Sequence, residues 1–171
     1  MLYVPATSEK FIEKAHERGA DAIKIDLEDA VAPKEKDAAR KLVKDAAQLV
    51  SRGTADVLVR INRPLRMAVA DIESSIWPEV CGLVLPKVDS ADQIKFLCEI
   101  ITELEEERGL DIGHTKLMVL IETPRGYSNV RSIASSSKRL SAIALGQEDF
   151  SAEMGMICLL YTSDAADDDH C

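Results

Sequence analysis

No apolar run in this 171-residue chain reaches the ~18 residues that a membrane-crossing helix needs. Met1 leads straight into a short strand pattern rather than into a basic segment and a long apolar one. No membrane span and no secretory leader are expected, and the chain reads as cytoplasmic. Positive charge is also scarce: 21 Lys and Arg against 30 Asp and Glu leave a formal net charge of −9. That balance excludes the dominant basic face that nonspecific binding to nucleic acid or an anionic membrane requires. Cys81, Cys98, Cys158 and Cys171 form no CxxC pair, and His16, His114 and His170 do not fall at metal-motif spacing, so reduced, structural cysteines are expected. Gly146-Gln147 belongs to neither GxGxxG nor GxxxxGK[ST], which removes a nucleotide-binding loop. Ser74-Ser75 and Ser135-Ser136-Ser137 have no nucleophile motif around them.

What the chain does have is 46% hydrophobic residues, enough for a substantial core at a length compatible with one domain. Short apolar runs alternate with helical periodicity. Strands are read at Leu2 to Ala6, Ala22 to Asp26, Asp56 to Asn62, Gly82 to Val88, Lys116 to Ile121 and Leu140 to Leu145. Between them, Thr7 or Ser8 opens a helix with Phe11, Ile12 and Ala15 on one face. A second helix has Glu35 in its first turn and Ala39, Leu42, Val43 and Ala46 on its apolar side. Further helices are read around Met67 to Ile76, after a cap at Ser90 or Asp92, and over Ser128 to Ser136. The Glu103 to Arg108 end of the fourth helix reads as a solvated face.

Six β/α repeats with near-continuous apolar strands imply a parallel sheet covered by helices. An open doubly wound sheet and a barrel both fit. The barrel is favoured because charged residues end strands two to six, whereas an open sheet concentrates its site at one switch point. The fold class expected is therefore α/β, a (β/α)8 TIM barrel truncated after about six β/α units. Residues 1–156 form the incomplete barrel domain, and 157–171, which lack periodicity and caps, form a non-native or disordered tail.

Chemistry is expected where those strands end. Ala22 to Ile25 runs apolar into Asp26-Leu27-Glu28-Asp29, Lys116 to Ile121 into Glu122, and Leu140 to Leu145 into Gly146-Gln147-Glu148-Asp149. Carboxylates there must be hydrated, paired or metal-bound, since desolvating an unpaired one costs several kcal/mol. If the strands are parallel the acids share one rim, which suits a hard divalent cation such as Mg2+. Asp26, Glu28, Asp29, Glu122 and Asp149 are the candidate oxygen ligands. Arg60 is the candidate clamp for a substrate carboxylate, with pairing to a neighbouring acid as its other reading. Lys87 in Leu85-Pro86-Lys87-Val88 is read as electrostatic or structural, because a carboxylate-rich rim raises the pKa that a Schiff-base lysine needs lowered.

Seven motifs follow one another along the chain: Leu2-Tyr3-Val4-Pro5-Ala6, Ala20 to Ile23 with Asp26 to Val31, Lys36 to Arg40, Val59 to Asn62, Leu85 to Val88, Ile121-Glu122-Thr123, and Gly146 to Phe150. In that order they resemble the citrate lyase β-subunit-like branch of the HpcH/HpaI aldolase/citrate lyase family. The likeness covers Leu2 to about Met156. It implies a Mg2+-dependent barrel enzyme that breaks or forms the carbon–carbon bond of a 3-hydroxyacyl-CoA thioester, of the citryl-CoA or malyl-CoA type, through an acetyl-CoA enolate. It implies Glu122 and Asp149 as direct metal ligands, Glu28 and Asp29 as holders of metal-bound water, and Arg60 with Glu122 at the substrate. Small-molecule substrates, CoA thioesters or 2-oxo acids, and a homo-oligomer or lyase-complex subunit are the implied partners. A malyl-CoA thioesterase, a malate-synthase-like activity and an inactive barrel fragment are the competing readings. Two departures stand out: the basic residue that usually precedes the first strand is absent, and Cys158 to Asp168 resembles translated adapter sequence.

Overall fold

The computed structural model describes residues 1–156, and the tail read over 157–171 lies outside the described residues. Six strands, β1 (Leu2–Pro5), β2 (Ala22–Asp26), β3 (Asp56–Arg60), β4 (Gly82–Leu85), β5 (Lys116–Ile121) and β6 (Leu140–Leu145), form one sheet in the order of the sequence. Every neighbouring pair is parallel; Val4 pairs with Ile25, Ile25 with Val59, Val59 with Leu83, Leu83 with Leu117 and Val119 with Ile143. A doubly wound sheet reverses its strand order at a switch point, and this sheet has no reversal. Successive parallel strands joined by crossovers of one hand place every helix on the same side. The helices bear this out: α1 (Glu9–Ala15) packs on α2 (Lys36–Val50), α2 on α3 (Leu65–Ser75), α3 on α4 (Ala91–Glu107), and α4 on α6 (Val130–Ala134). The architecture is that of a (β/α)-barrel arc of six units.

Alternation along each strand divides the residues between two faces. Ile23, Ile25, Val57, Val59, Leu83, Leu85, Leu117, Val119 and Ile121 face the helices and join Val43, Ala47, Ile72, Ile94, Ile101 and Ile133 in the main core. The opposite face carries Tyr3, Lys24, Asp26, Leu58, Arg60, Val84, Met118, Leu120, Glu122 and Ala144, and most of these line an open cavity of about 650 Å3. Among the described residues no helix is long and apolar enough to cross a membrane.

Several local expectations are corrected. β3 and β4 stop at Arg60 and Leu85, because Ile61 and Val88 continue the pairing only through single backbone bonds, Ile61 N–H to Val84 and Val88 N–H to Leu120. The helix expected over Ser128 to Ser136 is two short ones, α5 (Pro124–Ser128) and α6, divided at Asn129. Thr123 starts α5 early, because its hydroxyl accepts from Gly126 N–H and Pro124 occupies the first helical position. Pro33–Glu35 is a separate 3-10 turn before α2. Phe11 and Leu42, expected on apolar faces, are exposed while Ile12, Ala39 and Val43 are buried. The end of α4 is not uniformly solvated: Glu105 is fully buried, pairing through both oxygens with Arg139 at 2.8 and 2.7 Å and accepting from Gly113 and Thr115 N–H. That staple joins α4 to the starts of β5 and β6.

Candidate active site

The acids that end β2 converge on one guanidinium. Asp26 is 1% exposed; its Oδ1 accepts from Arg60 Nε at 2.8 Å and its Oδ2 from Arg60 Nη2 at 2.7 Å. Its oxygens also cap the turn that follows, accepting from Glu28 N–H and Ala30 N–H. This saturates Asp26, and it leaves the set of free oxygen ligands. Burial would push its carboxyl upward, but Arg60 and the two N–H donors outweigh that and hold it below the ordinary value. Arg60 Nη1 is shared by Glu28 at 2.9 Å and Asp29 at 3.3 Å. Sequence adjacency explains the grouping: Asp26 is opposite Arg60 in the parallel register, and the turn after it folds Glu28 and Asp29 back over the same side chain.

Glu28 is short of positive charge. Its carboxyl is pushed up to about 7, chiefly by burial and then by the nearby Asp29 and Glu122, despite Arg60. Across the mouth of the cavity, Glu122 at the end of β5 is 6% exposed and accepts the Lys87 backbone N–H at 2.8 Å. Lys87 has φ 50, a left-handed conformation that costs a non-glycine residue ~1–2 kcal/mol. It aims its N–H at Glu122 while its Nζ pairs with Asp149 at 2.9 Å. Asp149 raises the Lys87 pKa first, which is the direction the sequence reading required. Asp149 itself lies in the first turn of α7 (Gln147–Glu153), a helix the sequence reading missed because no side-chain cap announces it. Gly146 lets that turn approach closely: a Cβ there would sit 2.8 Å from Glu122 Cδ and closer still to its Cγ and Oε1.

Behind the acids stands a second set of residues whose roles were not read from sequence. Asp71, fully buried on α3, accepts from Asn62 N–H and Nδ2 at 2.7 Å and from Arg40 Nε at 2.7 Å. Asn62 Nδ2 also donates to the Leu27 carbonyl, and Lys36 Nζ donates to the carbonyls of Leu27 and Glu28. The backbone that carries Glu28 is thereby fixed from α2, α3 and the β3 loop. Lys36 and Arg40, spaced one helical turn apart near the start of α2, were the available signal.

Among the described residues no three His, Cys, Asp or Glu side chains gather closely enough to hold a metal by themselves. The donor chemistry nevertheless fits Mg2+, which keeps most of its water and takes only one or two protein carboxylates. Lys87 holds Glu122 through its backbone N–H and Asp149 through its ammonium, and Glu28 nearby is a carboxylate whose neighbouring charges leave it underneutralised.

Comparison with known proteins identifies the relatives of the chain. The family model described as HpcH/HpaI aldolase/citrate lyase matches residues 1–158. The citrate lyase subunit beta of Leuconostoc mesenteroides subsp. cremoris is 38% identical over 155 residues, covering 90% of this chain and 51% of its own length. The L-malyl-CoA/beta-methylmalyl-CoA lyase of Rhodobacter capsulatus is 34% identical over 159 residues, covering 91% of this chain and 50% of its own. Among solved structures, the citrate lyase beta subunit from M. tuberculosis complexed with oxaloacetate and magnesium aligns with a TM-score of 0.67 at 27% identity, over 90% of this chain and 60% of that one. The chain spans about half the length of the curated relatives it matches.

Proposed function

Because the chain belongs to the HpcH/HpaI aldolase/citrate lyase family, we propose that it carries the acid-rich part of the site of a Mg2+-dependent carbon–carbon lyase. The substrate is a 3-hydroxyacyl-CoA thioester of the citryl-CoA or malyl-CoA type. The observation that carries this reading is that Lys87 holds Glu122 through its backbone N–H and Asp149 through its ammonium, that Arg60 holds Glu28 and Asp29, and that Asp29, Arg60, Glu122 and Asp149 line one cavity.

In this reading Glu122 and Asp149 hold Mg2+, Glu28 and Asp29 hold its water, and Arg60 with Glu122 meets the substrate. When bound, the ion supplies charge that makes the substrate hydroxyl more acidic and stabilises the oxygen as the carbon–carbon bond breaks. The hydroxyl proton passes to solvent water, its oxygen becomes the carbonyl of a 2-oxo acid, the carbon–carbon bond breaks, and its electron pair passes to the acetyl-CoA enolate. Arg60 links the two tasks. Its Nη1 is engaged by Glu28 and Asp29, and a cation that drew on those acids would free that edge of the guanidinium for the substrate carboxylate. Asp26 keeps its two bonds and fixes the fork in the plane that a second carboxylate needs. Lys87 neutralises Asp149 when no cation does so.

The test is melting temperature against Mg2+ concentration. A ligand that binds only the folded state adds about 2.7 kcal/mol at a hundredfold excess over Kd. Glu122→Gln and Asp149→Asn are expected to abolish the shift and Glu28→Gln to reduce it less, because a hard cation loses most when a direct anionic ligand becomes an amide. Full Mg2+ shifts in both Glu122→Gln and Asp149→Asn would sink the assignment.

A further inference from the structure

One cation in the cavity is used by none of these roles. Lys24 occupies the middle of β2, one pleat below Asp26, and is only 2% exposed. Its Nζ donates to the Tyr3 hydroxyl at 2.9 Å and lies 4.5 Å from the centre of the Tyr3 ring. It forms no ion pair among the described residues, whereas Arg60 one layer up engages three carboxylates. A nearly buried ammonium with a neutral partner is costly in a fold that spends acids so freely beside it. Both residues line the same cavity as Arg60 and Glu122, and the wall between them and Glu122 includes Met118, Leu120 and Ala144.

Because Lys24 occupies a lone pair of the Tyr3 oxygen, the phenol is left as a donor, and the ammonium beside it makes that O–H a stronger one. Tyr3 is about half exposed, so its hydroxyl is reachable where Lys24 is not. The pair is thus an anion receptor set below the acid-rich mouth and approached past apolar side chains. A ligand that uses both places needs one carboxylate beside its oxo group at the mouth and a second carboxylate on a short apolar arm.

We propose that the Tyr3–Lys24 pair is a specificity subsite for that second carboxylate, selecting substrates whose 2-oxo acid portion is a dicarboxylate over those yielding a monocarboxylate. The proposal rests on the lyase reading and narrows its substrate class to the citryl-CoA type.

The test compares oxaloacetate with pyruvate, which differ by that one carboxylate, in calorimetric titrations of the full chain in MgCl2. The unsubstituted protein is expected to bind oxaloacetate about ten- to a hundredfold more tightly than pyruvate, the range of one charge-assisted hydrogen bond. Tyr3→Phe, which removes only a hydroxyl from a half-exposed ring, should erase most of that preference and leave pyruvate affinity unchanged. Lys24→Met should do the same, and Lys24→Arg should restore the preference. Persistence of the preference in both Tyr3→Phe and Lys24→Met, or equal weakening of the two acids, overturns the subsite. Equal binding of the two acids by the unsubstituted protein overturns the subsite alone; binding of neither overturns it together with the lyase reading.

Discussion

Replacing Gly146 by alanine adds one methyl group at the most crowded point of the site. Gly146 has φ −85 and ψ 90, so alanine meets no left-handed strain and the whole cost is steric. Its Cβ would lie 2.8 Å from Glu122 Cδ, against the roughly 3.5–4.0 Å at which carbon atoms rest. The carboxylate must therefore retreat by about 1 Å. Its Oε2 now accepts Lys87 N–H at 2.8 Å, and at about 3.8 Å that bond no longer exists. Losing a hydrogen bond to a charged acceptor costs about 1.5–3 kcal/mol. Staying in place instead incurs about 1–3 kcal/mol of overpacking. The two routes are alternatives, so the variant is expected to lose about 2 kcal/mol, read as a lower urea midpoint with an unchanged m-value. Its Mg2+-dependent stabilisation should shrink as well, and turnover should fall about a hundredfold if the displaced oxygen is a metal ligand. A double-mutant cycle locates the cause: in a Glu122→Ala background no Cγ remains to clash, so Gly146→Ala should cost little. An undiminished cost in that background, or an unchanged midpoint in the single variant, would refute the argument.

Glu28 makes the stability of the metal-free protein depend on pH. Its folded pKa of about 7 is raised above the ordinary 4.5, so between those values the folded state holds more protons than the unfolded one and stability falls as pH rises. Urea midpoints at pH 5 and pH 8 should show this as a slope that Glu28→Gln flattens; equal slopes would remove the cause. Arg60→Lys keeps a charge but loses the fork on Asp26, so 2-oxo acid affinity should fall far more than Mg2+ affinity, with equal losses in calorimetry counting against the clamp. Asp71→Ala takes from Arg40 its buried partner, leaving it the exposed Asp37, and strands the Asn62 backbone N–H, and should cost about 3 kcal/mol in chemical denaturation. A cost under about 1 kcal/mol would mean that the Glu28 backbone is fixed by other contacts.

How far this was legible from residue order depends on the range of each interaction. β5 and β6 have the boundaries read from sequence, because each is a mainly apolar run with a clear stop at both ends, Thr115 and Glu122 around β5 and Arg139 and Gly146 around β6. The rim acids were legible for the same reason, and Asp26 opposite Arg60 follows once the strands are parallel. The choice between barrel and open sheet was argued from charged strand ends, but strand order decides it, and order is a property of pairing rather than of any one segment. Glu105 sits in a run of glutamates whose neighbours are solvated. Only Arg139, far away in sequence and just before β6, makes it a core residue. Lys24 was absorbed into an apolar run, since a lone lysine among isoleucines gives no local sign of its partner. Asp149 was placed at a strand end because α7 begins without a side-chain cap.

The strand order has a bearing on how the polypeptide assembles as it is made. Leu2 finds its partner at Ile23, Ala22 at Asp56, Leu58 at Gly82, Gly82 at Lys116 and Leu117 at Leu140. In every described pairing the older strand is already present when the newer one is synthesised, and the helix between them is the intervening chain. No strand within this arc has to wait, with its backbone groups exposed, for a segment inserted later between it and its neighbour. Loop closure is met in short, similar instalments. A doubly wound sheet must instead turn back and extend itself from both sides of its first strand. Growth by accretion at one edge suits synthesis from the N-terminus, where units can dock in the order they emerge.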